Sequence, residues 1–410
     1  MSAMDPDGIL DRDGASHPAD ISKASDGNDG AAGTVGRLIA VLGVSGLLLA
    51  AAPPGAAQSF DSADYKLRVV TVAKGLRSPW GLAFLPGGKM IVTERTGGIR
   101  IVSAAGKISP RLKGAPKVFA HGQGGMLDVA LDPQFAINNL IYLSFAEPGA
   151  GGGGTAVARA RLDLAGNRLR KVTVIFQQMP KSNGGRHFGS RLVFDRGGRL
   201  FITLGERGQR DGAQEPAINR GQVVRIKTDG TIPTDNPHVG RFGYRPEIWS
   251  HGHRNPQGAA LHPESGQLWI SEHGAQGGDE INVAMAGKNY GWPVIAYGRH
   301  YSGGKIGVGT HKEGMEQPLY YWDPSIAPSG MALYTGGKFP KWRGNLFVAA
   351  LKFRLLVRLV LDGEKVIKEE RLLQGLDERL RHVRQGPDGY LYLLTDSEAG
   401  RILRLESVAR

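Results

Sequence analysis

The chain has 410 residues, 41% hydrophobic and 22% charged, a globular balance that excludes a disordered chain and a membrane bundle. It contains no cysteine, which excludes disulfides, thiolate metal sites and a cysteine nucleophile. Its net charge of +13 suits an anionic partner, but no Lys/Arg run with interleaved aromatics points to nucleic acid.

Residues 1–36 are rich in Asp, Gly, Ser and Ala without apolar periodicity, and they read as a disordered polar extension. Arg37 then precedes an apolar run from Leu38 to Ala52, too short for a span of ~20 residues. Small residues follow at Gly55, Ala56 and Ala57. Residues 37–57 therefore read as a signal peptide cut near Ala57, with an uncleaved anchor as the alternative. The expected compartment is periplasmic or secreted, with no stable membrane span in what remains. Without residues 1–57 the chain holds 48 basic and 31 acidic residues, a net of +17.

From Tyr65 onward, short apolar runs recur between Gly, Pro, Asp and Asn turns, and no long helical period appears. Glycine numbers 61, about 15% of the chain against a usual ~7%. One unit repeats: a small-apolar strand, a Gly-containing turn and a second strand. It occurs at 80–94, 126–145, 190–206, 257–274, 329–351 and 381–396. Six copies predict an all-β fold, a six-bladed β-propeller with four-stranded antiparallel blades over residues 62–408. Residues preceding each inner strand should line one mouth of the axial channel. They include His121 to Gln123, Arg186 and His187, His253 to Asn255, and Arg379 to Arg381. Several polar and cationic side chains converging on one mouth predict a functional site there.

The segments HGQGGMLDVALDP, GGRHFGSRLVF, GHRNPQGAALHP, SEHGAQGGDEIN and GKNYGWP resemble the soluble PQQ-dependent glucose and aldose sugar dehydrogenases. The likeness runs in order from about residue 66 to 406. It implies oxidation of the C1 hydroxyl of an aldose to the aldonolactone, with PQQ as hydride acceptor and Ca²⁺ as second cofactor. It further implies that His187 is the general base and that Arg254 stabilises the charge developing on the quinone. Cofactor contacts are implied for Gln123, Arg254, Asn255, Tyr301, Lys352, Arg379 and Arg381. For calcium, the matching positions are the carbonyls of Gly274 and Ala275, with Glu280 and Tyr290 at a second ion. The chemistry is consistent, because a tricarboxylate needs cations and amide donors, and calcium takes oxygen ligands including carbonyls. Two positions depart from the family pattern: His382 stands where Asp is usual, and Phe353 follows Lys352 where Gly is usual. The electron acceptor is not named by the sequence, and both monomer and homodimer remain open. Two other readings fit a six-bladed propeller: a calcium-dependent hydrolase of the lactonase type, and a non-catalytic propeller that binds a protein partner.

Overall fold

The computed structural model describes residues 58–408, so the extension and signal-peptide readings lie outside the described residues. Six antiparallel sheets succeed one another around an axis and form the expected six-bladed propeller. Blade 1 comprises Pro79–Phe84, Met90–Glu94 and Gly98–Val102. Blade 2 comprises Met126–Leu131, Leu140–Gly149, Gly152–Asp163 and Arg168–Gln177. Blade 3 is Gly189–Phe194, Leu200–Leu204, Gln222–Ile226 and Ile248–His251. Blade 4 is Pro256–Leu261, Leu268–Glu272, Asp279–Val283 and Tyr320–Trp322. Blade 5 is Pro328–Leu333, Leu346–Ala350, Leu356–Asp362 and Lys365–Leu372. Blade 6 is assembled from both ends of the chain: Leu380–Gln385, Leu391–Thr395 and Gly400–Val408 pair outward to Lys66–Leu76 and the short Ser59–Asp61. Blade 1 thus has three strands and blade 6 has five, because the segment preceding blade 1 crosses back to close the ring, Lys66 opposite Val408.

The repeated sequence unit is the inner strand pair of every blade. The second strand of each pair does not alternate. MIVTE, LFITL, LWISE, LFVAA and LYLLT are buried at every position. Each of these strands is covered on both faces, by the blade before and the blade after. The apolar core is accordingly a set of wedges between neighbouring blades. One packs Ile91 and Ile99 of blade 1 on Ile141 and Leu143 of blade 2. Another packs Trp269 of blade 4 on Leu346 and Val348 of blade 5. The wedge that closes the ring sets Leu394 and Ile402 of blade 6 against Leu82 and Val92 of blade 1. Truncating one such leucine to alanine costs about 2–5 kcal/mol, since rigid sheets on both sides cannot collapse into the cavity.

Near the axis the blades are joined by hydroxyls. Thr93 of blade 1 donates to the Leu127 carbonyl of blade 2. Ser144 donates to Ser190 O at 2.7 Å, Thr203 to Pro256 O at 2.9 Å, and Ser271 to Ser329 O at 3.0 Å. Blade 5 has Ala349 at this place, and Ser329 of its inner strand reaches Leu380 O of blade 6 instead, at 2.7 Å. A buried Arg191 crosses the axis. Its Nη1 meets Asp128 Oδ1 at 3.0 Å, its Nε donates to Gln257 O at 2.7 Å, and its plane lies 4.1 Å from the Trp80 ring. Burial pulls this guanidinium down to about 10, against the opposing pull of Asp128. These contacts hold the inner strands in register, so the loops at the two ends of the axis stand on a rigid base.

Candidate active site

All six inner strands start at one end of the axis, and all six second strands finish there. At blade 3 this end carries His187, two residues before the inner strand, and Glu206, two residues past the second strand. His187 has a left-handed backbone, φ 55°. That conformation costs a non-glycine residue on the order of 1 kcal/mol and persists only where neighbours enforce it. Here its N–H donates to Gln123 Oε1 at 2.8 Å and its carbonyl accepts from Arg207 N–H at 3.3 Å. Gly205 lies so close that a Cβ there would strike the same carbonyl, which is why the turn carries glycine. The imidazole Nδ1 is paired with Glu206 Oε1, and the ring is 4% exposed. Burial alone would raise the Glu206 carboxyl, but His187, Arg254 and Arg207 hold it below its usual range. His187 Nε2 has no hydrogen-bond partner among the described residues, and His187 lines a cleft of about 560 Å³.

The cleft wall is cationic. Lys181, Arg186, Arg207, Arg210 and Arg254 line it, and Glu206 is the one carboxylate among the lining residues. Arg207 is buried, with its guanidinium 3.3 Å from the Phe188 ring centroid and its Nη atoms on the carbonyls of Gly184 and Arg186. It ties down the loop that presents His187. Arg254 is fixed through its backbone N–H to Glu272 Oε2 at 2.8 Å and through Nη1 to His273 O at 3.3 Å. Arg210 and Arg254 stand 5.3 and 5.4 Å from the centroid of Trp292, which gives the cleft an aromatic face between cations. Tyr301 also lines the cleft and donates its hydroxyl to Ala275 O at 3.0 Å. A planar anion matches such a wall in both charge and shape.

Behind Arg254, Gly274, Ala275, Glu280 and Tyr290 line a smaller cavity together with Glu272. Asn282 Nδ2 donates to Glu272 Oε1 at 3.0 Å and to Glu280 Oε2 at 2.9 Å, while its own Oδ1 is buried without a partner. Burial first, and then the neighbouring Glu272, push the Glu280 carboxyl up to about 8. Among the described residues no three His, Cys, Asp or Glu side chains surround a common point. A cation here would therefore draw on carbonyl and amide oxygens as well as carboxylates. The all-oxygen donor set and the crowded carboxylates fit a hard ion such as Ca²⁺.

The expected residues divide into four groups. His187, Arg254, Ala275 and Tyr301 meet in the large cleft, and Gly274, Glu280 and Tyr290 in the small one. Gln123 and Asn255 stand behind: Gln123 holds the His187 N–H, and Asn255 Oδ1 accepts from Gly189 N–H at 3.1 Å. Lys352, Arg379 and Arg381 do not line the large cleft. Lys352 is exposed, with its Nζ 5.5 Å from the Phe353 ring, which itself does not line the cleft. Arg379 and Arg381 converge on Asp396 at 3.3 and 3.0 Å, and Arg381 reaches Gln257 Oε1 at 2.5 Å. Burial alone would raise Asp396, yet Arg381, Arg95 and Arg379 pull it down to about 2. The arginines around His382 find their carboxylates elsewhere, Arg191 on Asp128 and Arg379 and Arg381 on Asp396. His382 is buried and accepts at Nε2 from Arg191 at 3.3 Å and Arg384 at 3.2 Å. Sequence reasoning missed Glu206, Arg207, Arg210 and Trp292. One signal could have found Glu206: a glutamate stands 19 residues after His187, as another does after His253.

A family model described as Glucose / Sorbosone dehydrogenase matches residues 76–404. The aldose sugar dehydrogenase YliI of Escherichia coli (strain K12) is 47% identical over 348 residues, spanning 84% of this chain and 94% of its own. Quinoprotein glucose dehydrogenase B of Acinetobacter calcoaceticus is 28% identical over 415 residues, covering 81% and 85% of the two chains. Among solved structures, the PQQ-bound aldose sugar dehydrogenase of Streptomyces coelicolor superposes with a TM-score of 0.68 at 31% identity, over 83% of this chain and 98% of that one.

Proposed function

The chain belongs to the glucose/sorbosone dehydrogenase family, and from that premise we propose that it oxidises the C1 hydroxyl of aldoses with PQQ and Ca²⁺ as cofactors. One observation carries the reading. His187 turns Nε2 toward a cleft ringed by guanidiniums while a buried glutamate engages Nδ1. PQQ supplies an ortho-quinone that accepts two electrons as hydride. His187 Nε2 takes the proton of the C1 hydroxyl, as a base positioned by its other nitrogen. Glu206 keeps the proton of Nδ1 in place and balances the imidazolium that forms. Arg254 and Arg210 set positive charge beside the aromatic face of Trp292 and favour an anion as negative charge grows there. Arg207 clamps the loop and preserves the aim of His187. The carbonyls of Gly274 and Ala275 would hold one calcium, and Glu280 with Tyr290 a second. Lys352, Arg379 and Arg381 would serve the cofactor from the same end of the propeller as long-range cations. Residues 37–57 would direct export, and the reduced enzyme would pass its electrons to an acceptor in that compartment.

The axis argues against the hydrolase reading. That reading needs a cage of carboxylates and amides, and here the axis carries Arg191, Arg381 and His382 beside Asp128. The test is reconstitution: metal-free protein should gain sugar-dependent dye reduction on addition of PQQ and Ca²⁺. No reduction across a panel of mono- and disaccharides, with PQQ shown to be bound, overturns the proposal.

A further inference from the structure

The inner strands end at the other mouth of the axis, and there the propeller encloses a second cavity of about 560 Å³. Its walls come from the distal ends of the inner strands and include Phe84, Leu131, Phe194, Leu261 and Leu333, with Arg384 the one cation at that level. Toward the active-site end the cavity meets a polar partition of Asp128, Arg191 and His382. The partition's Arg191 and the neighbouring Arg381 each have a carboxylate partner. Arg191 pairs with Asp128 at 3.0 Å, and Arg381 pairs with Asp396 at 3.0 Å. Arg384 is the remainder. It makes no ion pair among the described residues, and its one side-chain hydrogen bond runs from Nε to His382 Nε2 at 3.2 Å. His382 adds no second positive charge beside it, because burial and the neighbouring guanidiniums of Arg191, Arg384 and Arg381 disfavour its protonation. Arg384 thus leaves one positive charge, with both terminal nitrogens unengaged by the described protein, among the apolar walls of the cavity.

We propose that this distal cavity binds a monocarboxylate with a short apolar body, its head on the terminal nitrogens of Arg384 and its tail against the leucine and phenylalanine walls. The chemistry selects this class. A guanidinium fork matches a carboxylate edge, and a single guanidinium without an ion pair favours a monoanion over a phosphate dianion. Walls that are mostly apolar, with the Gln385 amide already engaged by Thr335, favour an alkyl or aryl tail over a sugar acid. Such a ligand would touch all six blades and stabilise the closed ring by mass action.

Hexanoate is the probe, followed by calorimetric titration and by thermal unfolding of the intact protein. The expected result is saturable binding of one hexanoate per chain with a rise in Tm. Formate, which lacks the tail, and hexan-1-ol, which lacks the charge, should each bind about tenfold or more weakly. Arg384→Met should weaken hexanoate by about 10- to 100-fold, and Arg384→Lys should restore part of the loss. Arg254→Ala should leave the affinity unchanged, which separates this cavity from the active-site cleft. Folded wild-type protein that shows no saturable hexanoate binding overturns the proposal, even if Arg384→Met does not fold. So does binding that persists in Arg384→Met, or binding lost in Arg254→Ala.

Discussion

Blades 3 and 4 build the same pair twice. His187 meets Glu206 and His253 meets Glu272, each through Nδ1 and each 19 residues apart. The surroundings then diverge. His253 is fully buried, its Nε2 engages Ser250 Oγ at 2.9 Å, and its ring stacks on Tyr290 at 4.6 Å. Glu272 is equally occupied, with Oε1 on His253 and Asn282 and Oε2 on the Arg254 N–H. In blade 3 the corresponding atoms are left over: Glu206 Oε2 is buried without a partner, and His187, which lines the cleft, has no hydrogen bond at Nε2 among the described residues. A satisfied pair stabilises, whereas a pair with spare valence can do chemistry. The repeat therefore made two candidates, and the loops around them leave spare valence in one, the pair to which the proposed function gives the base.

The largest expected effect tests that asymmetry directly. His187→Gln should fold and bind PQQ but lose about 10²–10⁴ in kcat, the usual contribution of a positioned base. His253→Gln should lose less than about tenfold in kcat and instead cost on the order of 1–3 kcal/mol, because it strands buried partners. Steady-state kinetics and denaturant melts of both variants decide the matter, and equal kcat losses would break the distinction.

Next in size is Glu206→Gln. Glutamine keeps the shape but cannot balance an imidazolium, so kcat should fall about 10–100-fold with little change in KM. The variant also carries a stability signature. A carboxyl held below its unfolded value contributes stability that is present above the unfolded value, near pH 4, and is lost as pH falls through the lower folded value. Wild-type stability should therefore drop more steeply below about pH 4 than that of Glu206→Gln. Parallel acid-unfolding curves would show that Glu206 is not held ionised by the cleft.

Chelation should act on blade 4 more than on blade 3. Removing Ca²⁺ from the holoenzyme should lower Tm by several degrees, as expected when an ion bound only to the native state is withdrawn. Replacing Glu280 with Gln should blunt that shift, and an EDTA-insensitive Tm would remove calcium from this cavity. The smallest effect belongs to Ser250→Ala. It frees the second nitrogen of His253 at a cost of about 1 kcal/mol and should leave kcat within twofold, since that nitrogen faces no cleft.

Most of the propeller was legible because its inner strand pairs repeat in sequence and are bounded by glycine turns. The outer strands were not, because their lengths and partners follow the ring rather than the local chain: nothing near Lys66 announces Val408 as its partner. At the site, His187 and Arg254 were legible from motifs of adjacent residues. Arg379 and Arg381 were given cofactor contacts by the resemblance alone, and their pairing with Asp396 was not legible because that partner arrives only after the second strand of the blade. Glu206 was hidden for the same reason, as the turn that carries it back to His187 is invisible in composition.

The closure of blade 6 implies that the fold has no privileged beginning. Its outer strand, Lys66–Leu76, is held by side-by-side pairing with Gly400–Val408, so the two ends of the described chain are already neighbours in space. A circular permutant that links residue 408 to residue 66 through a short glycine-serine bridge, with new termini in the loop between blades 1 and 2, keeps the axial hydroxyl contacts and loses from the wedges only the packing of Phe60 and Tyr65. It turns a long-range pairing into a local hairpin. Such a ring should close earlier in folding and resist fraying at its seam.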